Sequence, residues 1–377
     1  MVKYLKILCI LLALVLIFSA AFWLDRAGTS RSGGPALDPN TQTRPAYLQE
    51  TEPTMPTETE TVPEETEPEE TLPTEYLLTF GGNCTLGCTD ATAYHGNGII
   101  KTVGEDYRYP LKNAAPFFEG DDFTLLNLEC PLTDTKAYSN TQQIYSGPSA
   151  YIEILTDVSL EGVTLASDHI RDHGEAGYAS TTGLLKDAGI FYAEKDVPIQ
   201  YTTANGLTLG IYSVLYRTEL KDLSPITDTI SDLTEHADIV IFAPHWGPVG
   251  YYLPTDSQQA LAHAAIDAGA DIVCGTHPSV LQPIEEYGDG VIYYSLGNFC
   301  AGNLSSPKDY DTALIRQQIL REPDGTFRLG ERTILPFSIS SSEKGNNYQP
   351  TPYAETDAGY SSTLSKLSGT YHLKSIS

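Results

Sequence analysis

Polar residues able to do chemistry recur at one kind of place in this chain, just after a short apolar run. Asn83 follows Tyr76–Gly82, Glu129 follows Phe123–Leu128, and Asp168 and His169 follow Val163–Ala166 with Ser167 between. His245 follows Asp238–Pro244, His277 comes after Asp271–Gly275, and Asn298 comes after Val291–Leu296. Carboxylate, amide and imidazole groups gathered in one pocket suit a divalent ion such as Zn or Mn. Such an ion polarises a phosphoryl or acyl oxygen and lowers the pKa of a bound water. Each residue alone has an ordinary reading. A histidine at a strand end commonly serves structure, Glu129 or Asp168 could cap a helix, and Asn83 in Gly81-Gly82-Asn83 is a normal turn residue. The coincidence is what favours a cluster: of eight histidines, His169, His173, His245 and His277 all stand beside strand ends.

For these residues to meet, the apolar runs must be strands whose C-terminal ends share one edge, where open α/β sheets bind ligands. Runs without polar alternation read as buried strands. Helical patterns lie between them, at Glu175–Ala188 before Gly189 and at Asp256–Ala268 between an N-cap at Thr255 and a stop at Gly269. This alternation predicts an α/β arrangement. Pro198–Tyr216 reads instead as a hairpin about Asn205-Gly206, and Ala313–Leu320 and Thr326–Pro336 as late strands around Asp324-Gly325, so the sheets are expected to be mixed. Tyr360–Leu367 is expected to close the domain as a short amphipathic helix within a C-terminal extension, 341–377.

The N-terminal part is of a different kind. Lys3 and Lys6 precede the apolar run Ile7–Leu24, eighteen residues long, near the lower end of the ~17–25 needed to span a bilayer. With positive charge before it, residues 1–26 read as a signal-anchor with the rest of the chain outside the cell. Cleavage at Ser19-Ala20-Ala21 is the rival reading. Residues 27–75 read as a disordered linker. Glu50–Glu75 repeats Thr, Glu and Pro, and the 27–75 stretch could extend on the order of 150 Å in polyproline-type backbone. The folded part, 76–340, is expected to stand off a cell membrane on this single-pass stalk. The formal charge is −27, and residues 76–377 still hold 37 acidic against 17 basic residues. Such a surface repels nucleic acid.

Four blocks carry a resemblance: Leu78-Thr79-Phe80-Gly81-Gly82-Asn83-Cys84, Asn127-Leu128-Glu129-Cys130-Pro131-Leu132-Thr133, the stretch 166–178, and the long stretch 244–299. The last joins His245-Trp246-Gly247, Asp267-Ala268-Gly269-Ala270-Asp271, His277-Pro278 and Tyr294-Ser295-Leu296-Gly297-Asn298-Phe299 in that order. Together these resemble the bacterial capsule and poly-γ-glutamate biosynthesis family of CapA type, over roughly residues 76–337. The resemblance implies a metallophosphatase-like αββα sandwich, two mixed sheets flanked by helices. It also implies a membrane-anchored accessory of capsule or polyglutamate synthesis or export. Its partners would be the anionic polymer or the membrane synthase complex.

The chain departs from the family pattern at three points. Gly82-Asn83 stands where the family has Gly-Asp, Ser167-Asp168-His169 where it has Asn-Asn-His, and His277-Pro278-Ser279 where it has His-Pro-His. At most one divalent ion (Mn, Zn or Fe) is therefore expected, held by Asp168, His245 and His277 with Asn83 as a weak oxygen ligand and Glu129 completing the shell. If the domain is a hydrolase or transferase, His169 is the expected general acid, oriented by Asp172. Arg171, Trp246 and Asn298 are expected to face substrate, with a surface salt bridge the alternative for Arg171. Two other functions stay open: a non-catalytic scaffold with a degenerate site, favoured by Asn83 and Ser279, and a phosphoesterase acting outside capsule synthesis. A disulfide from Cys84 or Cys88 to Cys130 is expected if both segments reach one edge outside the cell. Cys274 reads as a buried apolar residue.

Overall fold

A computed structural model describes residues 74–377, apart from 90–91, 93–97, 136–143, 218–221 and 372–377. The expected anchor at 1–26 and all but the last two residues of the linker lie outside the described residues. Among the described residues, no helix is long and apolar enough to cross a membrane.

The strands alternate their side chains between two apolar environments, and this fixes the layers. Strand β1 (Glu75–Thr85) and strand β2 (Phe123–Leu128) lead a sheet continued by β3 (Gly162–Thr164) and β4 (Phe191–Ala193), all parallel. A hairpin of β5 (Ile199–Thr202) and β6 (Thr208–Tyr216) opens the second sheet, which adds β7 (Ile239–Trp246), β8 (Ile272–Cys274), β9 (Ile284–Tyr287) and β10 (Gly290–Tyr293). Its order is β5-β6-β7-β8-β10-β9, with parallel pairing from β6 through β10 and antiparallel edges. The short strand β11 (Asn298–Ala301) pairs parallel with β1, while β12 (Asp311–Arg321), β13 (Phe327–Ser338) and β14 (Thr351–Pro352) extend the first sheet antiparallel on its other side. Both sheets are mixed, as the hairpin signals predict.

In β7, Ile239 and Ile241 face the core between the sheets, while Val240 and Phe242 face an outer core. In β2, Leu125 faces inward and Leu126 outward. Helices cover both outer faces. The first sheet carries α1 (Ile99–Val103), α2 (Ala115–Phe118), α3 (Ile152–Thr156) and α4 (Gly174–Asp187). The second carries α5 (Ser224–Thr234) and α6 (Asp256–Asp267). The three cores therefore separate four layers, the αββα sandwich expected from the resemblance. Thr255 caps α6 in a reciprocal box with Gln258, an arrangement worth about 1 kcal/mol.

The described residues after β13 belong to the same body. Helix α7 (Ala358–Leu367) places Leu367 in the inter-sheet core, and Asn346 donates to the Ala301 carbonyl at 3.0 Å. Lys366 Nζ is buried between Asp309 and Asp311, 2.7 Å from each, with the rings of Tyr252 and Tyr371 at 5.3 and 5.0 Å.

Candidate metal centre

Two strands run further than the sequence suggests, and this aims their polar residues. β1 continues through Asn83 to Thr85, with a register shift against β2 between Phe80 and Asn83. Gly82 makes the approach possible: a Cβ there would lie 2.0 Å from the Gly297 carbonyl oxygen. Asn83 N donates to that oxygen at 2.9 Å. Its side chain then joins three segments, accepting from His277 N at 3.3 Å and donating to Asn298 Oδ1 at 3.4 Å. Asn83 and Asn298 thus fix the backbone of the His277 turn. That turn holds two non-glycine residues at positive φ, His277 at 94° and Ser279 at 62°. L-residues adopt this conformation at a cost, and such strain concentrates at functional sites.

Glu129, His245 and His277 meet where the two sheets' strand ends face each other. One ligand atom from each lies within 4.8 Å of the others, and all three residues are buried. Glu129 accepts from Thr85 Oγ1 at 2.5 Å, and its carbonyl accepts from Ser167 Oγ at 3.0 Å. Thr276 Oγ1 donates to the Pro244 carbonyl at 3.5 Å and lies 3.0 Å from His245 Nδ1. A hydroxyl donating to that carbonyl accepts from Nδ1–H, which leaves the Nε2 lone pair of His245 facing the cluster. Nε2 is 3.1 Å from His277 Nδ1. His277 Nε2 is buried with no hydrogen-bond partner among the described residues.

Both ring nitrogens that face the cluster are held in the neutral form. Burial raises the pKa of Glu129, opposed by the Thr85 hydrogen bond and by His169. Burial, then the charges of His277, Arg217 and His169, depress His245 well below the usual histidine value. Burial and the Arg217 charge pull His277 down to about 4. At neutral pH both imidazoles are therefore neutral, with lone pairs available, beside a carboxylate that buried surroundings penalise. An orphaned ring nitrogen and a two-nitrogen, one-oxygen donor set fit a divalent ion such as Zn or Mn.

Around this trio lies a polar rim. His169 Nδ1 is 2.8 Å from Asp172 Oδ2, which also accepts from Tyr145 N at 2.8 Å. The Tyr145 and His169 rings pack with centroids 4.5 Å apart. Burial opposes charge on His169, but Asp172, Glu129 and Asp168 outweigh it and raise its pKa. Asp168 stands beside the trio: its Oδ2 is 3.4 Å from His277 Nδ1 and 3.4 Å from Arg217 Nε.

Two expected substrate-facing residues point elsewhere. β7 continues through Trp246, so alternation that turns His245 inward turns Trp246 toward the helices. Trp246 is fully buried, donates Nε1–H to the Tyr294 carbonyl at 2.9 Å and stacks on the Tyr294 ring. It is a core residue. Arg171 pairs with Glu175 one turn along and lies 3.8 Å from the centroid of the Tyr178 ring, the surface alternative considered for it. Cys84 and Cys130 are free thiols, so the expected bridge to Cys130 is absent. Next to Asn83 in the strand, Cys84 takes the opposite face and packs in the outer core. Cys274 is buried between the sheets, as read from the sequence. Thr85, Tyr145, Arg217 and Thr276 join the site without having been expected there. Arg217 is the first residue after β6, so the rule that found the others also finds it.

Two mixed sheets between helices, with a carboxylate–imidazole cluster at their facing strand ends, define the class of this domain. Residues 77–303, more than half of the chain, match the family model described as bacterial capsule synthesis protein PGA_cap. The chain belongs to that family. It is similar to the PGA biosynthesis protein CapA of Bacillus subtilis (strain 168), 32% identical over 236 residues, covering 57% of this chain and 62% of that protein. It is also similar to the capsule biosynthesis protein CapA of Bacillus anthracis, 30% identical over 272 residues, covering 65% and 64% respectively. The chain thus spans less than two thirds of the length of these relatives. The solved Haemophilus influenzae NAD nucleotidase aligns over 78% of this chain and 62% of its own, with 10% identity and a TM-score of 0.40.

Proposed function

We propose that this protein is a membrane-anchored, extracellular accessory of capsule or poly-γ-glutamate synthesis or export, whose domain hydrolyses or transfers the anionic polymer with one divalent ion. The observation that carries the catalytic part is the meeting of Glu129, His245 and His277, from three strand ends in two sheets, within 4.8 Å. Family membership supports the polymer context, and the apolar run Ile7–Leu24 with Lys3 and Lys6 before it supports the anchor and the extracellular side.

Glu129, His245 and His277 would hold the ion, which when bound supplies Lewis-acid polarisation of an acyl or phosphoryl oxygen. Thr276 keeps His245 in the Nε2-ligating tautomer, and Thr85 orients Glu129. Asn83 and Asn298 hold the His277 turn. His169, with Nδ1 on Asp172 and a raised pKa, keeps a proton at Nε2 that it can give to a leaving group. Complementation of a deletion strain tests this: His245→Ala and His169→Gln proteins should be made at normal levels yet fail to restore polymer of normal length. Full restoration by both would contradict catalysis.

One observation favours a second reading, a scaffold without catalysis. Asn83, where the family has Asp, uses its amide to join backbone segments, and Ser279, where the family has His, donates to the His277 carbonyl at 3.0 Å. Under this reading the purified protein binds no Mn, Zn or Fe and acts on neither γ-glutamyl peptides nor phosphoesters.

A further inference from the structure

We propose that Arg217 forms an oxyanion subsite beside the Glu129–His245–His277 cluster, where it takes a carboxylate of a γ-linked glutamate chain. The identity of that anion rests on the proposed function; the subsite itself does not. Arg217 leaves the C-terminal end of β6, on the edge where the cluster lies. Its Nη1 donates to the Gly247 carbonyl at 2.9 Å, two residues beyond His245, and its Nε faces Asp168 Oδ2 at 3.4 Å. The same Asp168 oxygen is 3.4 Å from His277 Nδ1, so one carboxylate oxygen separates the guanidinium from the cluster.

The guanidinium also lines a cavity of about 380 Å³, walled by Gly247, Pro248, Thr255, Ser257 and Gln258 besides β6's last residue. Arg217 is the one charged side chain of that lining. Its own side chain is 40% exposed, and the single long contact to Asp168 is a partly solvated ion pair, the kind that contributes little and yields to a competing anion. A guanidinium offers five donors in a planar fork matched to carboxylate and phosphate.

The wider charge favours such a residue. Residues 76–377 carry 37 acidic against 17 basic side chains, so a polyanion approaching this domain meets repulsion. A local cation one carboxylate away from the cluster offsets it.

The test uses the full-length protein in detergent, loaded with Mn, and titration calorimetry with a γ-linked glutamate oligomer, its fully amidated neutral counterpart, and inorganic phosphate. Arg217→Gln should weaken the anionic oligomer roughly ten- to a hundredfold, as loss of a charged hydrogen bond does, and leave the amidated oligomer unchanged. Arg217→Lys should fall between, and Mn retention should match wild type in both variants. Equal affinity of Arg217→Gln and wild type for the anionic oligomer would overturn the subsite, as would equal losses for the charged and neutral oligomers. If wild type ignores both oligomers but binds phosphate in an Arg217-dependent way, the subsite stands and the polymer reading fails. Binding of none of the three by wild type overturns the subsite.

Discussion

Thr276→Val removes one hydroxyl, keeps the shape of the side chain, and leaves all three proposed metal ligands in place. The Thr276 hydroxyl lies 3.0 Å from His245 Nδ1, and His245 is fully buried. Water cannot take over the contact, so the ring nitrogen loses its partner at a cost of about 1–3 kcal/mol. The neutral ring can then place its proton on either nitrogen, and placing it on Nε2 removes the lone pair a cation needs. Loss of such an outer-shell partner typically lowers metal affinity about 10–100-fold. At ~1.4 kcal/mol per factor of ten, that equals about 1.4–2.8 kcal/mol of metal-binding free energy, separate from the cost to folding. The assay is competition between the protein and a chelator of known affinity for Mn and Zn, with thermal unfolding of the metal-free forms alongside. Thr276→Val should bind 10–100-fold more weakly, and Thr276→Ser, which restores a hydroxyl, should recover most of the loss. Wild-type affinity in Thr276→Val would refute the tautomer argument.

Two further outcomes follow from the same geometry. His277 titrates near 4 when folded and at its ordinary value, about 6.5, when unfolded, so acid protonates the unfolded chain first. Stability should therefore hold its His277 contribution above pH ~6.5 and lose it as pH falls toward 4. In urea unfolding, His277→Gln should show a shallower decline across that window; an identical decline would contradict it. Lys366, 3% exposed, neutralises Asp309 and Asp311, so Lys366→Met leaves two partly buried carboxylates without their cation. The expected loss is about 3–5 kcal/mol, with earlier proteolysis at the α7 end; a loss under about 1 kcal/mol would show that the network does not hold the helix.

Much of this fold was legible because its strands are buried on both faces and read as unbroken apolar runs. β2 falls at Phe123–Leu128 as expected, and Thr255 caps α6 as its position before Asp256 implies. The cluster was legible for the same reason: a polar residue ending an apolar run stands at the sheet edge. What failed was the exact strand end. Stopping β7 at Pro244 left Trp246 free to face substrate, whereas two more residues of strand assign it to the opposite face. Asp168, expected as a ligand, does stand beside the trio, and what its own type and place do not reveal is that Arg217, a cation from another strand end, shares its oxygen. Contacts between remote segments, such as Thr85 with Glu129 or Asn83 with Asn298, leave no local signal. β11 was missed because four residues after a glycine turn carry too little pattern to distinguish strand from loop.

The central expectation is one ion joining strand ends from both sheets. Crystals grown with Mn and measured at its absorption edge test this directly. One anomalous peak per chain is expected, about 2.0–2.3 Å from a Glu129 oxygen and one ring nitrogen each of His245 and His277. A strong peak elsewhere, or none there at saturating Mn with the three side chains ordered, would contradict it.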